Sequence, residues 1–99
     1  MDIQKTQNGD TLTLKLEGRL DTTTAPQLEA ELKQSIAGTK TLQLDFAKLE
    51  YLSSAGLRVL LSAQKVMNKQ GKMIVQHVNG EVMEVFEVTG FSDILNIEA

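Results

Sequence analysis

The sequence contains no cysteine and only one histidine, His77. A disulfide framework, a thiolate metal site and a cluster of histidine ligands are therefore excluded. A Ser-His-Asp triad would have to use His77, which follows an apolar strand and is more simply a surface or core residue. No phosphate-cradling loop, dinucleotide fingerprint or nucleophile elbow is present. The sequence thus predicts a protein that is not an enzyme and that carries no metal or cofactor.

Long apolar runs and clusters of basic residues are also missing. No stretch approaches the ~18–20 apolar residues of a membrane span, and residues 1–5 lack the apolar core of a signal peptide. The ten lysines and arginines are scattered, and the net charge is −3, whereas nucleic-acid binding needs clustered cations. We therefore expect a cytoplasmic monomer with no membrane or nucleic-acid partner.

The 99 residues, 41% hydrophobic and 23% charged, have the composition of one globular domain spanning residues 1–99. Asn8-Gly9 favours a hairpin, and the strand that follows alternates at Leu12, Leu14 and Leu16 before it stops at Gly18. Further strands are predicted over residues 41–46 and 73–78, and a final edge strand is predicted from Ile94, Leu95 and Ile97.

Three helices are predicted between these strands. The first has Thr24 as its N-cap, Gln27 completing a capping box, and an end at Gly38. The second covers residues 53–70 and the third residues 81–89, where Gly90 ends it. The order β-β-α-β-α-β-α-β predicts an α/β fold. Its small mixed sheet is mostly parallel, with an antiparallel N-terminal hairpin at one edge and helices packed on it.

The start of the second helix is the most informative segment. Ser53 and Ser54 lie where backbone N–H groups are unpaired and the helix dipole is positive, so a phosphate there would be stabilised. A serine N-cap explains only one of the two residues. Gly56 in the first turn has two explanations: close packing against a strand, or approach of a partner or phosphate to bare backbone.

Two carboxylates, Asp21 and Asp45, lie near the C-terminal ends of strands, where open α/β sheets place their sites. Turn or cap chemistry explains Asp21 as well as a functional role does, and it is the favoured explanation for Asp45.

Three segments in order resemble the STAS domain in its anti-sigma factor antagonist form. The central one is an apolar strand ending at Asp45-Phe46, a short loop, and Ser53-Ser54-Ala55-Gly56-Leu57 opening a helix. Residues 16–21, Leu-Glu-Gly-Arg-Leu-Asp, resemble the segment before the family's first helix, and Phe86 with Gly90-Phe91 resembles a late segment. The resemblance covers nearly the whole chain.

The resemblance implies partner switching in bacterial transcription control. An unphosphorylated antagonist binds an anti-sigma factor that is also a serine kinase. Phosphorylation by that kinase releases it, and a serine phosphatase resets it. Ser54 is then the phosphoacceptor, and Ser53, where many family members have Asp, is the second choice. The residues implied in partner binding are Asp21, Thr22, Ser53, Ser54, Ala55, Gly56 and Arg58.

Two other interpretations stay open. In one, the chain is a constitutive STAS interaction module or a subunit of a transport complex, and Ser54 is only a helix cap. In the other, which has little support because no base or pocket is evident, the chain binds or converts a small molecule. Leu57 is expected in the core, since it shares a helix face with Leu60 and Leu61, whereas Arg58 points elsewhere.

Overall fold

A computed structural model describes residues 1–98. Five strands form one sheet in the order β1-β2-β3-β4-β5, with β1 antiparallel to β2 and every other pair parallel. The strands are β1 (Asp2–Asn8), β2 (Thr11–Leu20), β3 (Thr41–Leu52), β4 (Lys72–Gln76) and β5 (Ile97–Glu98). The helices are α1 (Ala25–Ser35), α2 (Ser54–Gln70) and α3 (Gly80–Thr89). The predicted mixed α/β fold is confirmed.

Side-chain alternation gives the sheet one apolar and one polar face. Apolar residues of β2, β3 and β4 are buried with those of the three helices in one cluster, in which the Phe46 and Phe86 rings stack with centroids 6.4 Å apart. The other face carries polar residues, and Thr13 donates a hydrogen bond to Gln43 across it (3.0 Å). Because β2 and β3 are parallel neighbours, the loops that follow them leave the sheet at the same end.

The hairpin between β1 and β2 is confirmed, with a turn displaced by one residue from Asn8-Gly9. Asn8 pairs with Thr11, so the turn residues are Gly9 and Asp10, and Gly9 has φ +63°. A glycine with positive φ at the first turn position fits a hairpin better than Asn8 would, because glycine has no Cβ to clash.

Strands β2 and β3 both extend beyond their predicted ends at Gly18 and Phe46. They stay paired as far as Leu20 and Leu52, but the register shifts twice, between Lys15 and Glu17 and again after Gly18. Each shift places one extra residue in β3 and breaks the period of two in that strand, so its alternation is lost after Phe46, whereas β2 keeps its alternation as far as Leu20. The added length carries both strands to the segments that hold Asp21 and Ser53.

The predicted capping bonds of α1 and the predicted last strand are corrected. Thr24 is the N-cap residue of α1, as predicted, but its side chain makes no cap hydrogen bond, and the Gln27 amide donates to the Met1 carbonyl (3.0 Å) rather than closing a capping box. The helix ends at Ser35, before Gly38. Ile94 and Leu95 follow a 3₁₀ turn (Phe91–Asp93), and only Ile97 and Glu98 pair with β4.

The other predicted elements are confirmed with small changes. Helix α3 begins one residue early at Gly80, where the Asn79 side chain accepts from the Val82 N–H (2.8 Å), and Gly90 ends it with φ +81°. Strand β4 ends at Gln76, so Val78 lies outside it. His77 is exposed with φ +58° just after β4.

Gly71, at the end of α2, is the glycine with the tightest surroundings. A Cβ at this position would lie 1.9 Å from the Lys40 carbonyl oxygen, whereas a Cβ at Gly80 would meet nothing within 4 Å. We predict that Gly71→Ala lowers the free energy of unfolding by about 1–3 kcal/mol, because backbone must move to admit the methyl group.

Gly80→Ala is the matched control and leaves that free energy unchanged or raises it by up to about 1 kcal/mol. Urea unfolding followed by circular dichroism measures both variants. Equal midpoints for the two would contradict the packing argument.

Candidate functional site

The loop from β3 to α2 lies beside the end of β2, at the C-terminal ends of these two parallel strands. The Ser53 N–H donates to the Leu20 carbonyl (2.9 Å), which extends the strand pairing by one residue. The next residue, Ser54, begins α2. Gly56 is buried in the first turn, where a Cβ would lie 2.7 Å from both the Leu20 Cγ and a Leu52 methyl carbon. These contacts hold the first turn of α2 directly against the ends of β2 and β3.

This packing explains Gly56, for which the sequence left two explanations open. Any side chain at position 56 would overlap Leu20 and Leu52, so glycine is required for close approach of helix and strands. Leu57 is buried as expected, while Leu61 is only half-buried. A partner contact at Gly56 stays a prediction.

The two serines have different surroundings. Ser53 occupies the N-cap position of α2 with extended backbone, but its hydroxyl makes no cap hydrogen bond. The Ser53 Oγ is buried and has no hydrogen-bond partner among residues 1–98. Ser54 is exposed. The sequence-based expectation that a serine hydroxyl caps this helix is therefore wrong, and the hydroxyl that solvent reaches belongs to Ser54.

The first turn of α2 is ready to accept negative charge. The Leu57 N–H donates to the Ser53 carbonyl (3.0 Å), which leaves the preceding N–H groups of the helix without a bond inside it. No acidic residue lies in this turn. An anion on Ser54 would meet these N–H groups and the positive end of the helix dipole.

Asp21 organises the neighbouring loop between β2 and α1. Its Oδ1 accepts hydrogen bonds from the Thr23 hydroxyl (2.8 Å) and from the Thr23 and Thr24 N–H groups (3.0 and 3.2 Å). The Thr23 hydroxyl is the largest cause that lowers the pKa of Asp21; burial opposes it, and the backbone bonds add to it. Turn chemistry therefore accounts for Asp21, and its predicted partner contact stays a prediction. Thr22 beside it is exposed.

Arg19 and Tyr51 also lie at this end of the sheet, although neither was predicted as a site residue. The Arg19 guanidinium lies 4.2 Å from the centre of the Tyr51 ring, and its Nε is 3.8 Å from the Asp21 Oδ2. Tyr51 is 42% exposed, so its ring is available to a partner. The bulges hide this pair from the sequence, since they obscure that residues 19 and 51 face each other.

The remaining predicted residues lie as follows. Ala55 is half-buried and Arg58 is exposed on α2. Asp45 lies at the first bulge, where its Oδ1 accepts from the Ala47 N–H (2.9 Å), so a local turn explains it. It lines a groove of about 490 Å³ on the polar sheet face, and neither Ser54 nor Asp21 lines that groove.

Two negative findings apply to residues 1–98. No group of three or more His, Asp or Glu side chains there could hold a metal ion. Within the same residues, no helix has the combination of length and apolar character that crossing a bilayer requires.

The low pKa of Asp21 makes stability depend on pH. A carboxylate whose pKa is lowered in the folded state stabilises that state above its ordinary value of 3.8, and the contribution is lost as pH falls through the native value. We predict that Asp21→Asn lowers the urea midpoint at pH 7. The difference between the urea midpoints of the variant and the wild type should narrow below pH 3.8.

Asp2→Asn, which removes an exposed carboxylate from β1, is the control. Urea unfolding of the three proteins between pH 2 and pH 7 gives the comparison. A gap between the Asp21→Asn variant and the wild type that stays constant with pH would contradict the role assigned to the Asp21 charge.

Comparisons with known proteins agree with this geometry. The STAS domain family model matches residues 2–99. BtrV of Bordetella bronchiseptica, provisionally named an anti-sigma factor antagonist, is 40% identical over 84 residues, which cover 83% of this chain and 72% of BtrV. The anti-sigma-B factor antagonist of Bacillus subtilis is 25% identical over 100 residues, covering 100% of this chain and 92% of that protein.

The structure of the Bacillus cell fate determinant SpoIIAA in its phosphorylated form superimposes with a TM-score of 0.77. It is 20% identical, and the match covers 99% of this chain and 92% of that one. At this identity the likeness concerns the fold. Since the family model covers almost all of the sequence and the sheet and helices match, this chain belongs to the STAS domain family.

Proposed function

We propose that this chain is an anti-sigma factor antagonist that binds an anti-sigma factor serine kinase while Ser54 is unmodified. Phosphorylation of Ser54 releases it, and a serine phosphatase restores binding. The chain itself has no catalytic role. One observation carries the proposal: the exposed hydroxyl at the start of α2 belongs to Ser54, at the family's motif position, and that start is fixed against two strands. The names of BtrV and the Bacillus subtilis relative support the choice of partner.

Burial supports Ser54 over Ser53 as the phosphoacceptor. A kinase must bring its phosphate donor in line with the attacking hydroxyl, and the buried Ser53 Oγ offers no such approach. Ser54 is exposed on the first turn of the helix. The second hydroxyl that replaces the aspartate of many family members is therefore not a competing site.

Release follows from charge rather than from refolding. A phosphoserine adds about −1.5 to −2 charge at pH 7, and the helix N-terminus stabilises that charge where it stands. Burying the same charge in an interface without partners costs several kcal/mol, and each 1.4 kcal/mol is a tenfold change in affinity. The fold can stay unchanged while the complex dissociates.

We place the partner surface around Ser54, at the C-terminal ends of β2 and β3 and the start of α2. Thr22 and Arg58 are exposed there, and Asp21 and Ala55 are half-buried. We add Arg19 and Tyr51, because a guanidinium stacked on an exposed ring gives a rigid contact of the kind that dominates binding energy in interfaces.

The choice of serine can be tested directly. We predict that Ser53→Ala still gains one phosphoryl group from ATP and the cognate anti-sigma kinase, whereas Ser54→Ala gains none, because only the Ser54 hydroxyl is accessible. Intact-mass spectrometry measures both.

Phosphorylation of the Ser54→Ala variant at Ser53 would remove Ser54 from its role. If neither serine of the wild-type chain is modified by the kinase that binds it, the constitutive interaction module is the better account.

The Arg19–Tyr51 pair gives a second test. We predict that Tyr51→Ala weakens binding to the anti-sigma kinase about tenfold, since the ring and the orientation of Arg19 are both lost. Tyr51→Phe keeps the ring and retains most of the affinity. Titration calorimetry with the unmodified proteins gives the affinities. Wild-type affinity in the Tyr51→Ala variant would exclude the pair from the interface.

A further inference from the structure

We propose that Arg58 is the intramolecular counter-ion of phosphorylated Ser54. The inference rests on the proposed phosphorylation and adds a residue that sets how the modified state is held. On this account phosphorylation changes the partner surface twice: it adds an anion at Ser54 and withdraws the cation of Arg58.

The helix places the two residues on one face. Ser54 and Arg58 are four residues apart in α2, which runs from Ser54 to Gln70. Residues at this spacing are neighbours on a helix, with Cβ atoms about 5–6 Å apart. Long side chains on a helix lean toward its N-terminus, so an arginine at position 58 is within reach of the turn that contains Ser54.

Arg58 is also free to take this role. It is exposed, and it forms no ion pair with any of residues 1–98. The chain has one other arginine, Arg19, whose guanidinium is already engaged by Tyr51 and Asp21. The other cations of α2, Lys65 and Lys69, lie three turns or more beyond Ser54.

The chemistry of the pair is favourable. A phosphoserine has three acceptor oxygens, and a guanidinium donates two parallel hydrogen bonds to such a group. The first turn of α2 has no acidic residue to compete for Arg58. The charged groups on the neighbouring segments are Arg19 near the end of β2, Asp21 just after it, which pairs with Arg19, and Glu50 near the end of β3.

In this arrangement both backbone N–H groups and a side chain stabilise the phosphate. The N–H groups of the first turn face the phosphate from the helix axis, and Arg58 covers it from the side. Without Arg58 the dianion is stabilised less, so its protonated monoanion becomes more favourable and the second pKa of the phosphate rises.

The test is a ³¹P NMR titration of the full chain with phosphoserine installed at position 54 by genetic code expansion. We expect Arg58→Gln to raise the second pKa of the phosphate by about 0.3 unit, the shift that a helical ion pair of this spacing produces. The control is Lys65→Gln, which removes an exposed cation about 16 Å further along α2, beyond the screening length at 0.1 M salt.

A raised pKa in the Arg58→Gln variant with an unchanged value in the Lys65→Gln variant supports the proposal. Equal pKa values for the Arg58→Gln variant and the wild type, or equal shifts in both variants, overturn it. The titration needs neither kinase nor partner, so its failure is distinguishable from failure of the proposed function, which appears in the kinase assay.

Discussion

Close contact between the first turn of α2 and the ends of β2 and β3 determines the geometry of this molecule's site. Gly56 permits it, because Leu20 and Leu52 occupy the space of any side chain there, and the Ser53 N–H fixes it by bonding to Leu20. Beside this contact the Ser53 Oγ is buried, whereas Ser54 is exposed. The difference in burial is the basis for proposing Ser54 as the modified residue.

The start of α2 fits the proposed regulatory phosphate. Because unpaired N–H groups and the helix dipole already favour an anion there, a phosphate on Ser54 would need no new fold to stabilise it. The phosphate would instead weaken the proposed complex, because burying a dianion in an interface without a partner costs free energy. We propose Arg58 as a local partner for that charge and the stacked Arg19–Tyr51 pair as part of the contact surface.

Sequence periodicity predicted the helices, the hairpin and the mixed sheet, because alternation and glycine positions encode them directly. It failed where long-range pairing overrides local pattern: two extra residues in β3 hid the end of that strand, and with it the Arg19–Tyr51 pair. The serine motif indicated the site, but motif spacing carries no information on burial. The buried Ser53 Oγ and the exposed Ser54 are distinguished only by the structure.

The central claim is that modification of Ser54 dissociates a partner without changing the fold. The most direct measurement compares the Kd for the anti-sigma kinase of the unmodified and phosphorylated chains, with amide hydrogen exchange of both free proteins. The account predicts an affinity loss of about a hundredfold or more with equal exchange protection in β2, β3 and α2. Equal affinities, or a phosphorylated chain whose protection is lost across these elements, would contradict it.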